Sequence, residues 1–326
     1  MMLFRTLMVL MALLPMLPVT AAQAQTTETY PSKPIRIVVP WATGGFNDTL
    51  ARLLGEKLSA EFGQQVIVEN RPGAAGTLGS EMVARAKPDG YTVLLATADT
   101  HAISAAVYPS LRYDPQRDFT PISLLVSQPV ALWVSAESPL KNLADFIAYA
   151  KEKPGEVTYA SNGNGSATHL GMESFARIAG IQMLHVPYKG TGPALIDMLG
   201  GRLDTMFLSV QAAGPHGTAG KLRPLAVSSD GRSSGLPQVP TFAEAGQPFQ
   251  LALWQGLMAP KNTPSAIVDL LAKASAKAMD APDIKARMDA LGIDVIGSDP
   301  HVFQTFLADE VRKWRTAADA LNIKFE

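Results

Sequence analysis

The sequence predicts an α/β protein built from two similar units, because strand and helix patterns alternate along the chain. Short β-branched or apolar runs are followed by Gly-rich loops, and stretches with apolar residues at helical spacing come next. This rhythm occurs over 35–97 and again over 129–209. Two such series predict two lobes with a cleft between them, and ligands of open α/β sheets bind beyond the carboxyl ends of the strands.

The first series contains three predicted strands separated by two helices. The run IRIVVP is a buried strand that ends at Pro40, and Gly63 is a stop signal for the helix that follows. Strands joined by helical crossovers imply a parallel sheet that is covered on both faces. The predicted elements are a strand at 35–40, a helix at 48–62, a strand at 66–70, a helix ending near Ala86 and a strand at 91–97.

The second series repeats the pattern, and a helix-rich C-terminal part follows it. Between them, GRSSGLPQVPTFAEAGQP is rich in Gly, Pro and Ser, which predicts a long surface connection. The predicted strands lie at 129–135, 157–161, 183–188, 205–209, 222–229 and 252–260. The predicted helices lie at 142–153, from the 161–168 loop to about Ala179, and at 193–200, 264–280, 282–291 and 300–321.

The composition excludes two classes of function. Lys and Arg number 28 against 29 Asp and Glu, so the chain has no basic excess of the kind that binds nucleic acid. Cysteine is absent, which excludes disulfides and thiolate metal sites. The 326 residues suit one large or two medium domains with proper cores.

The N-terminal segment has the features of an export signal. Arg5 precedes the apolar run LMVLMALLPMLPVTAA, and Ala22-Gln23-Ala24 has the small-x-small form of a signal-peptidase site. We therefore expect residues 1–24 to be a cleaved signal peptide, with the periplasm as destination. The alternative is an uncleaved membrane anchor, but Pro15 and Pro18 interrupt the run, and a span needs about 20 apolar residues.

The common cofactor and metal motifs are not met. The only Gly-Lys pair, Gly220-Lys221, is followed by Leu222, so the phosphate-binding loop pattern fails. Neither Gly-x-Gly pair at 163–165 or 190–192 is followed by the third glycine of a dinucleotide site. The five histidines show no metal-ligand spacing, and no cofactor is expected.

The stretch YASNGNGSATHL at 159–170 is the most informative loop. It joins a strand to a helix and contains neutral donors but no Lys or Arg. Backbone N–H groups at a helix start attract anions, so the loop fits a carboxylate better than a phosphate. A serine hydrolase using Ser166 and His169 stays open, although Asn164 and Thr168 occupy the glycine positions of a nucleophile elbow. His185, inside an apolar strand, is expected to be a core residue.

Eight motifs occur in one order along the chain: VPWATGGFNDTLARLL, VIVENRPGAAGTLG, AKPDGYTVLL, YASNGNGSATHL, HVPYKGTGPALIDMLGGRLDTMF, GKLRPLAVSS, LPQVPTFAEAG and WQGLMAPKNTP. With them the chain resembles the Bug (TctC-type) substrate-binding proteins of tripartite tricarboxylate transporters. The resemblance implies a two-lobed type II periplasmic binding protein with crossing hinge strands. Lobe 1 would hold 28–125 and 231–326, and lobe 2 would hold 126–230.

The resemblance also implies what the protein does. Family members are receptors without enzymatic activity that bind small carboxylates, such as dicarboxylates, tricarboxylates, acidic amino acids or aromatic carboxylates. The expected partners are the membrane subunits of a tripartite tricarboxylate transporter, or a sensor protein, and the receptor is expected to be a monomer. A dimeric structural module is the remaining rival; it would show no saturable binding of small ligands.

Fourteen residues are implied as ligand-binding by their match to the family motifs. Asp48 has an alternative role as a cap of the first helix. Trp41 either stacks on an aromatic carboxylate or forms part of the pocket wall. Thr43 replaces the usual family proline and Ser104 a frequent asparagine, which bears on ligand identity. The residues are Trp41, Thr43, Gly44, Gly45, Asp48, Thr97, His101, Ser161, Asn162, Asn164, Gly165, Ser166, His169 and Asp204.

Overall fold

The computed structural model describes residues 30–325, and the predicted signal peptide at 1–24 lies outside them. The strands are β1 (Ile35–Val39), β2 (Val66–Asn70), β3 (Thr92–Thr97), β4 (Phe119–Ser135), β5 (Thr158–Ser161), β6 (Leu184–Pro187), β7 (Thr205–Ser209), β8 (Leu222–Val227), β9 (Ala252–Pro260) and β10 (Asp294–Val295). The helices are α1 (Phe46–Phe62), α2 (Thr77–Ala84), α3 (Ser104–Val107), α4 (Leu143–Glu152), α5 (Ala167–Ala179), α6 (Thr191–Leu199), α7 (Val210–Thr218), α8 (Ser265–Met279), α9 (Pro282–Ala290) and α10 (Pro300–Leu321). A π-helical turn, Asp99–Ile103, leads into α3.

The strands form one sheet with the order β2-β1-β3-β9-β4-β7-β5-β6, while β8 and β10 pair with β4. We call β2, β1, β3 and β9 the first half, and β7, β5, β6 and β8 the second half. Within each half the crossover strands are parallel, as predicted: β1 pairs with β2 and β3, and β5 pairs with β6 and β7. Every pairing of β4 and β9 is antiparallel, so the sheet as a whole is mixed.

Strand β4 belongs to both halves. Its residues 119–129 pair with β9, and residues 130–135 pair with β7 and β8. The sequence predicts a strand only over 129–135, so β4 begins earlier than predicted. Proline in a central strand removes a ladder hydrogen bond. The structure accommodates Pro121 with a register shift between Pro121 and Ser123, so the ladder resumes on its far side.

The connection at 231–248 contains no helix, as predicted, but it does not lie wholly on the surface. Phe242 is fully buried, and Phe249 just beyond the connection is 5 % exposed. Their rings lie 5.0 Å apart and contact Phe175 of α5 and Phe207 of β7. Burying an aromatic ring stabilises a fold by about 1.5–3 kcal/mol, so this connection is part of the core of the second half.

A buried polar contact fastens α10 to the centre of the sheet. The indole N–H groups of Trp254 on β9 and Trp314 on α10 both donate to Oε2 of Glu310, at 3.1 and 3.2 Å. The other carboxylate oxygen accepts from Lys313. Because a buried carboxylate is costly unless it is paired and hydrogen-bonded, this arrangement fixes the register of α10 against β9.

We expect Gly256→Ala to destabilise the protein by about 1–3 kcal/mol, the usual cost of overpacking. A Cβ at Gly256, in the middle of β9, would overlap the ring of Phe303. Phe303 is fully buried and packs edge-on against Trp254, so it has no space to move. The free energy of unfolding in urea measures the effect. Gly231→Ala is the control, since a Cβ there meets nothing within 4 Å; equal stability of the two variants would contradict the packing argument.

Candidate functional site

The carboxyl ends of the parallel strands bring four loops together. The loops after β1 and β3 lie side by side in the first half, and those after β5 and β7 do so in the second half. The two pairs meet where a side-chain oxygen of Asp99, just beyond β3, accepts a hydrogen bond of 3.0 Å from the backbone N–H of Ala167, the first residue of α5. A cleft at this meeting of strand ends is the position where open α/β sheets bind ligands.

The loop after β1 presents an open helix start. Thr43, Gly44 and Gly45 are exposed, and Gly45, the N-cap of α1, forms no side-chain cap hydrogen bond. The unpaired N–H groups of a first helical turn have a partial positive charge. Gly44 adopts φ +88°, a left-handed conformation that favours glycine.

Asp48 shapes this loop from inside. It is buried, and its Oδ2 accepts the N–H of Gly44 and the Nε of Arg52, each at 3.0 Å. The Arg52 hydrogen bond is the main cause that holds the pKa of Asp48 below its usual range. These contacts support the capping role for Asp48. Trp41 is partly buried against the core beneath the first half, and its carbonyl accepts from Asn70 at 3.1 Å, which favours the wall role.

The loop after β5 is held by its own polar groups. The N–H of Asn162 donates to Thr168 Oγ1, that of Gly163 to Ser161 Oγ, and that of Gly165 to Nδ1 of His169, at 3.0–3.1 Å. Ser166 caps α5 by accepting the N–H of His169 at 3.3 Å. Most donors that the sequence analysis offers to a ligand are therefore used within the loop.

This geometry does not support the hydrolase alternative. A serine nucleophile needs its hydroxyl to donate to a base. The Ser166 hydroxyl instead donates to the carbonyl of Gly163 at 2.8 Å, and the ring nitrogen Nδ1 of His169 accepts from Gly165.

Two stacked histidines lie behind this loop. The rings of His169 and His185 are 4.0 Å apart and nearly parallel, and Ser161 Oγ lies 2.6 Å from His185 Nε2. Burial lowers the pKa of each to about 4, and for His185 the neighbouring His169 adds to the effect. The prediction that His185 is a core residue is wrong: it is half-buried on the edge strand β6. Both rings are neutral at pH 7 and fix the shape of the loop.

Three predicted site residues lie away from the open loops. Thr97 is buried and bonded to Thr100. His101 is fully buried between the rings of Tyr113 and Phe119, and burial lowers its pKa to about 3. Asp204 lies at the amino end of β7 and accepts two hydrogen bonds of 2.7 Å from Thr158, at the opposite end of the strands from the cleft.

Asp99 is the residue that the sequence analysis missed. It follows the end of the predicted strand 91–97, but a single carboxylate there has no local signal. Its backbone contact in α5 is 68 residues away. Burial raises the pKa of Asp99, while the hydrogen bond from Ala167 opposes that rise.

Two other features were sought over the described residues: a metal-binding group and a membrane-spanning helix. Over residues 30–325 no group of three His, Asp or Glu side chains is placed to bind a metal ion. No helix in the same range combines the length and apolarity that a membrane span requires.

Comparisons with known proteins agree with the architecture. Residues 50–323 match TctC, the tripartite tricarboxylate transporter family receptor. BugT of Bordetella pertussis is 36% identical over 291 residues, which cover 89% of each chain. Rpa4515 of R. palustris, solved with adipate, is 34% identical with a TM-score of 0.82 and covers 90% of this chain and 99% of its own. MatC of Rhodopseudomonas palustris, solved with bound malate, is 35% identical with a TM-score of 0.79 and covers 88% and 99%.

The histidine stack predicts acid sensitivity. An unfolded histidine has a pKa of about 6.5, so below that pH the unfolded chain binds protons that the folded protein, with pKa values of about 4, does not. Stability is therefore lost as the pH falls from about 6.5 to about 4. We expect His169→Gln, which keeps an acceptor for Gly165, to reduce the loss between pH 7 and pH 5 by about 1–2 kcal/mol.

Urea unfolding at the two pH values measures this effect. His301→Gln is the matched control, since His301 is exposed at the start of α10. An unchanged pH dependence in His169→Gln would contradict the assignment to the stack.

Proposed function

Since the chain belongs to the TctC family of tripartite tricarboxylate transporter receptors, which are periplasmic solute-binding proteins, we propose that it binds a small carboxylate in the cleft between the two halves. The carboxylate lies against the first turn of α1. Backbone N–H groups near Gly45 donate to it, and the hydroxyl of Thr43 adds a neutral donor. No chemical change of the ligand is involved.

The exposed, uncapped start of α1 is the observation that supports this assignment most directly. The N-cap Gly45 makes no side-chain cap bond, and a Cβ at this position would lie 3.8 Å from its nearest neighbour, the carbonyl oxygen of Ala42. A helix start with room in front of it binds anions without a basic side chain. The loop 41–47 contains no Lys or Arg, so the backbone supplies the attraction.

Two similar proteins support the class of ligand. Rpa4515 was solved with adipate and MatC with malate, and both ligands are small carboxylates. At 34% and 35% identity these chains share the fold with the present one, while the loop residues decide which carboxylate fits. Trp41, Asn162 and Asn164 are the proposed neighbours of the rest of the ligand.

Lobe closure is the proposed signal of ligand binding. Residues 28–125 with 231–326 form one lobe and 126–230 the other in this proposal, and β4 and β9 cross between them. A ligand shifts such an equilibrium only by its preference for the closed form. The closed form would then be recognised by the membrane subunits of a tripartite tricarboxylate transporter or by a sensor.

Gly45→Asp tests the position of the carboxylate. Aspartate at an N-cap stabilises a helix by about 0.5–2 kcal/mol relative to Ala, and Gly45 already has the extended backbone of a cap (φ −78°, ψ 176°). The variant should therefore be at least as stable as Gly45→Ala, yet bind carboxylates at least about tenfold more weakly because its own carboxylate occupies the helix start.

The protein is first unfolded and refolded to remove any bound ligand. It is then screened by thermal shift and calorimetry against di- and tricarboxylates, acidic amino acids and benzoate-type acids. A ligand at a hundredfold excess over its Kd stabilises the native state by about 2.7 kcal/mol. Gly45→Ala is the control and should keep wild-type affinity within about threefold. If Gly45→Asp binds carboxylates as tightly as wild type, the ligand carboxylate does not lie at the start of α1. If wild type binds no carboxylate, the proposed function is refuted.

A further inference from the structure

The helix starts that follow β1 and β5 are not equivalent. At α1 no side chain caps the first turn. At α5 the chain itself supplies the acceptors: Ser166 accepts from His169, and the Asp99 carboxylate accepts from Ala167. Asp99 comes from the first half and α5 belongs to the second, so a carboxylate of the protein already occupies the anion position on the far side of the cleft.

We propose that Asp99 determines ligand specificity: it excludes ligands with a second carboxylate and selects those with one carboxylate and, at the other end, a hydroxyl or ammonium group. This proposal rests on the proposed function, because it takes the start of α1 as the place of the single ligand carboxylate. It names the chemical class of the ligand within the carboxylates.

Electrostatics gives the direction of the selection. A second ligand carboxylate at α5 would have to displace Asp99 or lie beside it, and two like charges about 6 Å apart repel with about 3 kcal/mol at an effective dielectric constant of 20. A hydroxyl or ammonium donates to a carboxylate oxygen instead, and hydrogen bonds to charged groups are the stronger ones. Within residues 30–325, the hydrogen bond between the Asp99 side chain and α5 uses Oδ1; in the proposal, Oδ2 accepts from the ligand's donor.

The surrounding charges leave Asp99 as the main discriminating group. The loops 41–47, 98–101, 161–168 and 189–193 contain a single basic residue, Lys189, which is exposed. Tyr108 lies close to Asp99: burial and the nearby Asp99 carboxylate raise the pKa of its hydroxyl, which stays neutral. Within these four loops, Lys189 alone would offer a second ligand carboxylate a lysine or arginine partner, and the test separates that case.

Matched ligands test the proposal. Adipate is compared with 6-hydroxyhexanoate and 6-aminohexanoate, and succinate with 4-hydroxybutyrate and 4-aminobutyrate. Binding is measured by calorimetry at pH 7.5 on protein that has been unfolded and refolded to remove any bound ligand. These pairs share a chain length and differ only at one end. Wild type should prefer the hydroxy or amino acid over the diacid of the same length by about tenfold or more.

Asp99→Asn removes the charge and keeps an acceptor for the N–H of Ala167. We expect it to bind the diacids at least about tenfold better than wild type does and to lose most of the preference. Asp99→Ser, with a smaller neutral side chain, provides a second variant should Asn disturb the fold.

Asp145→Asn is the matched control. Asp145 is also a carboxylate that accepts a backbone N–H, from Lys141 at 2.9 Å, in the first turn of α4. It follows the end of β4, which lies beside the amino end of β7, away from the cleft. The Asp145→Asn substitution also removes one negative charge from the protein. We expect its preference for hydroxy or amino acids over diacids to stay within about threefold of the wild-type preference.

The outcomes are distinct. A wild type that prefers diacids, through Lys189 or otherwise, overturns the selectivity proposal and leaves the proposed function standing. The same holds if Asp99→Asn changes the preference by no more than the control does. If no carboxylate of either kind binds the wild type, the proposed function itself fails.

Discussion

The antiparallel pairing of β4 with β9 is the constraint on which the rest of the structure depends. β4 is 17 residues long; its first part pairs with β9 and its last part with β7 and β8. One continuous strand therefore contributes backbone hydrogen bonds to both halves of the sheet. Because the crossover strands of each half are parallel and are placed relative to this pair, their carboxyl ends, and the loops that follow them, come to face each other.

The same pair contains the main irregularities of the central ladder. Register shifts at Pro121 and near Leu124 interrupt the β4–β9 ladder locally, and such irregularities bend the strand that contains them. The C-terminal helix counteracts this by fixing Trp254 and Trp314 to one buried carboxylate, Glu310. If the protein closes on a ligand as proposed, bending of two strands is the motion that this construction permits at the lowest cost.

The loops on the two sides of the proposed cleft have similar electrostatic properties. The loops 41–47 and 161–168 contain no Lys or Arg, so in the proposed site the attraction for an anion comes from helix starts. On one side that start is open, and Asp48 and Arg52 neutralise each other beneath it. On the other, Ser166, neutral His169 and Asp99 fill the start of α5. If the proposals hold, such a site would distinguish ligands by their number of negative charges rather than by pairing each charge with a cation.

Local sequence determined the elements whose signals lie within one turn or one strand: the strand 205–209 and the helix 300–321 agree with the prediction residue for residue, and the Gly-rich loops do lie at strand ends. The order of family motifs likewise determined the family. Tertiary structure decided what depends on distant partners. It extended β4 through Pro121, buried His101, placed Asp204 at the wrong end of β7 for a cleft and brought Asp99 to α5. Periodicity records which face of an element is buried, but the neighbour across 68 residues is set by the pairing of strands, which no local pattern encodes.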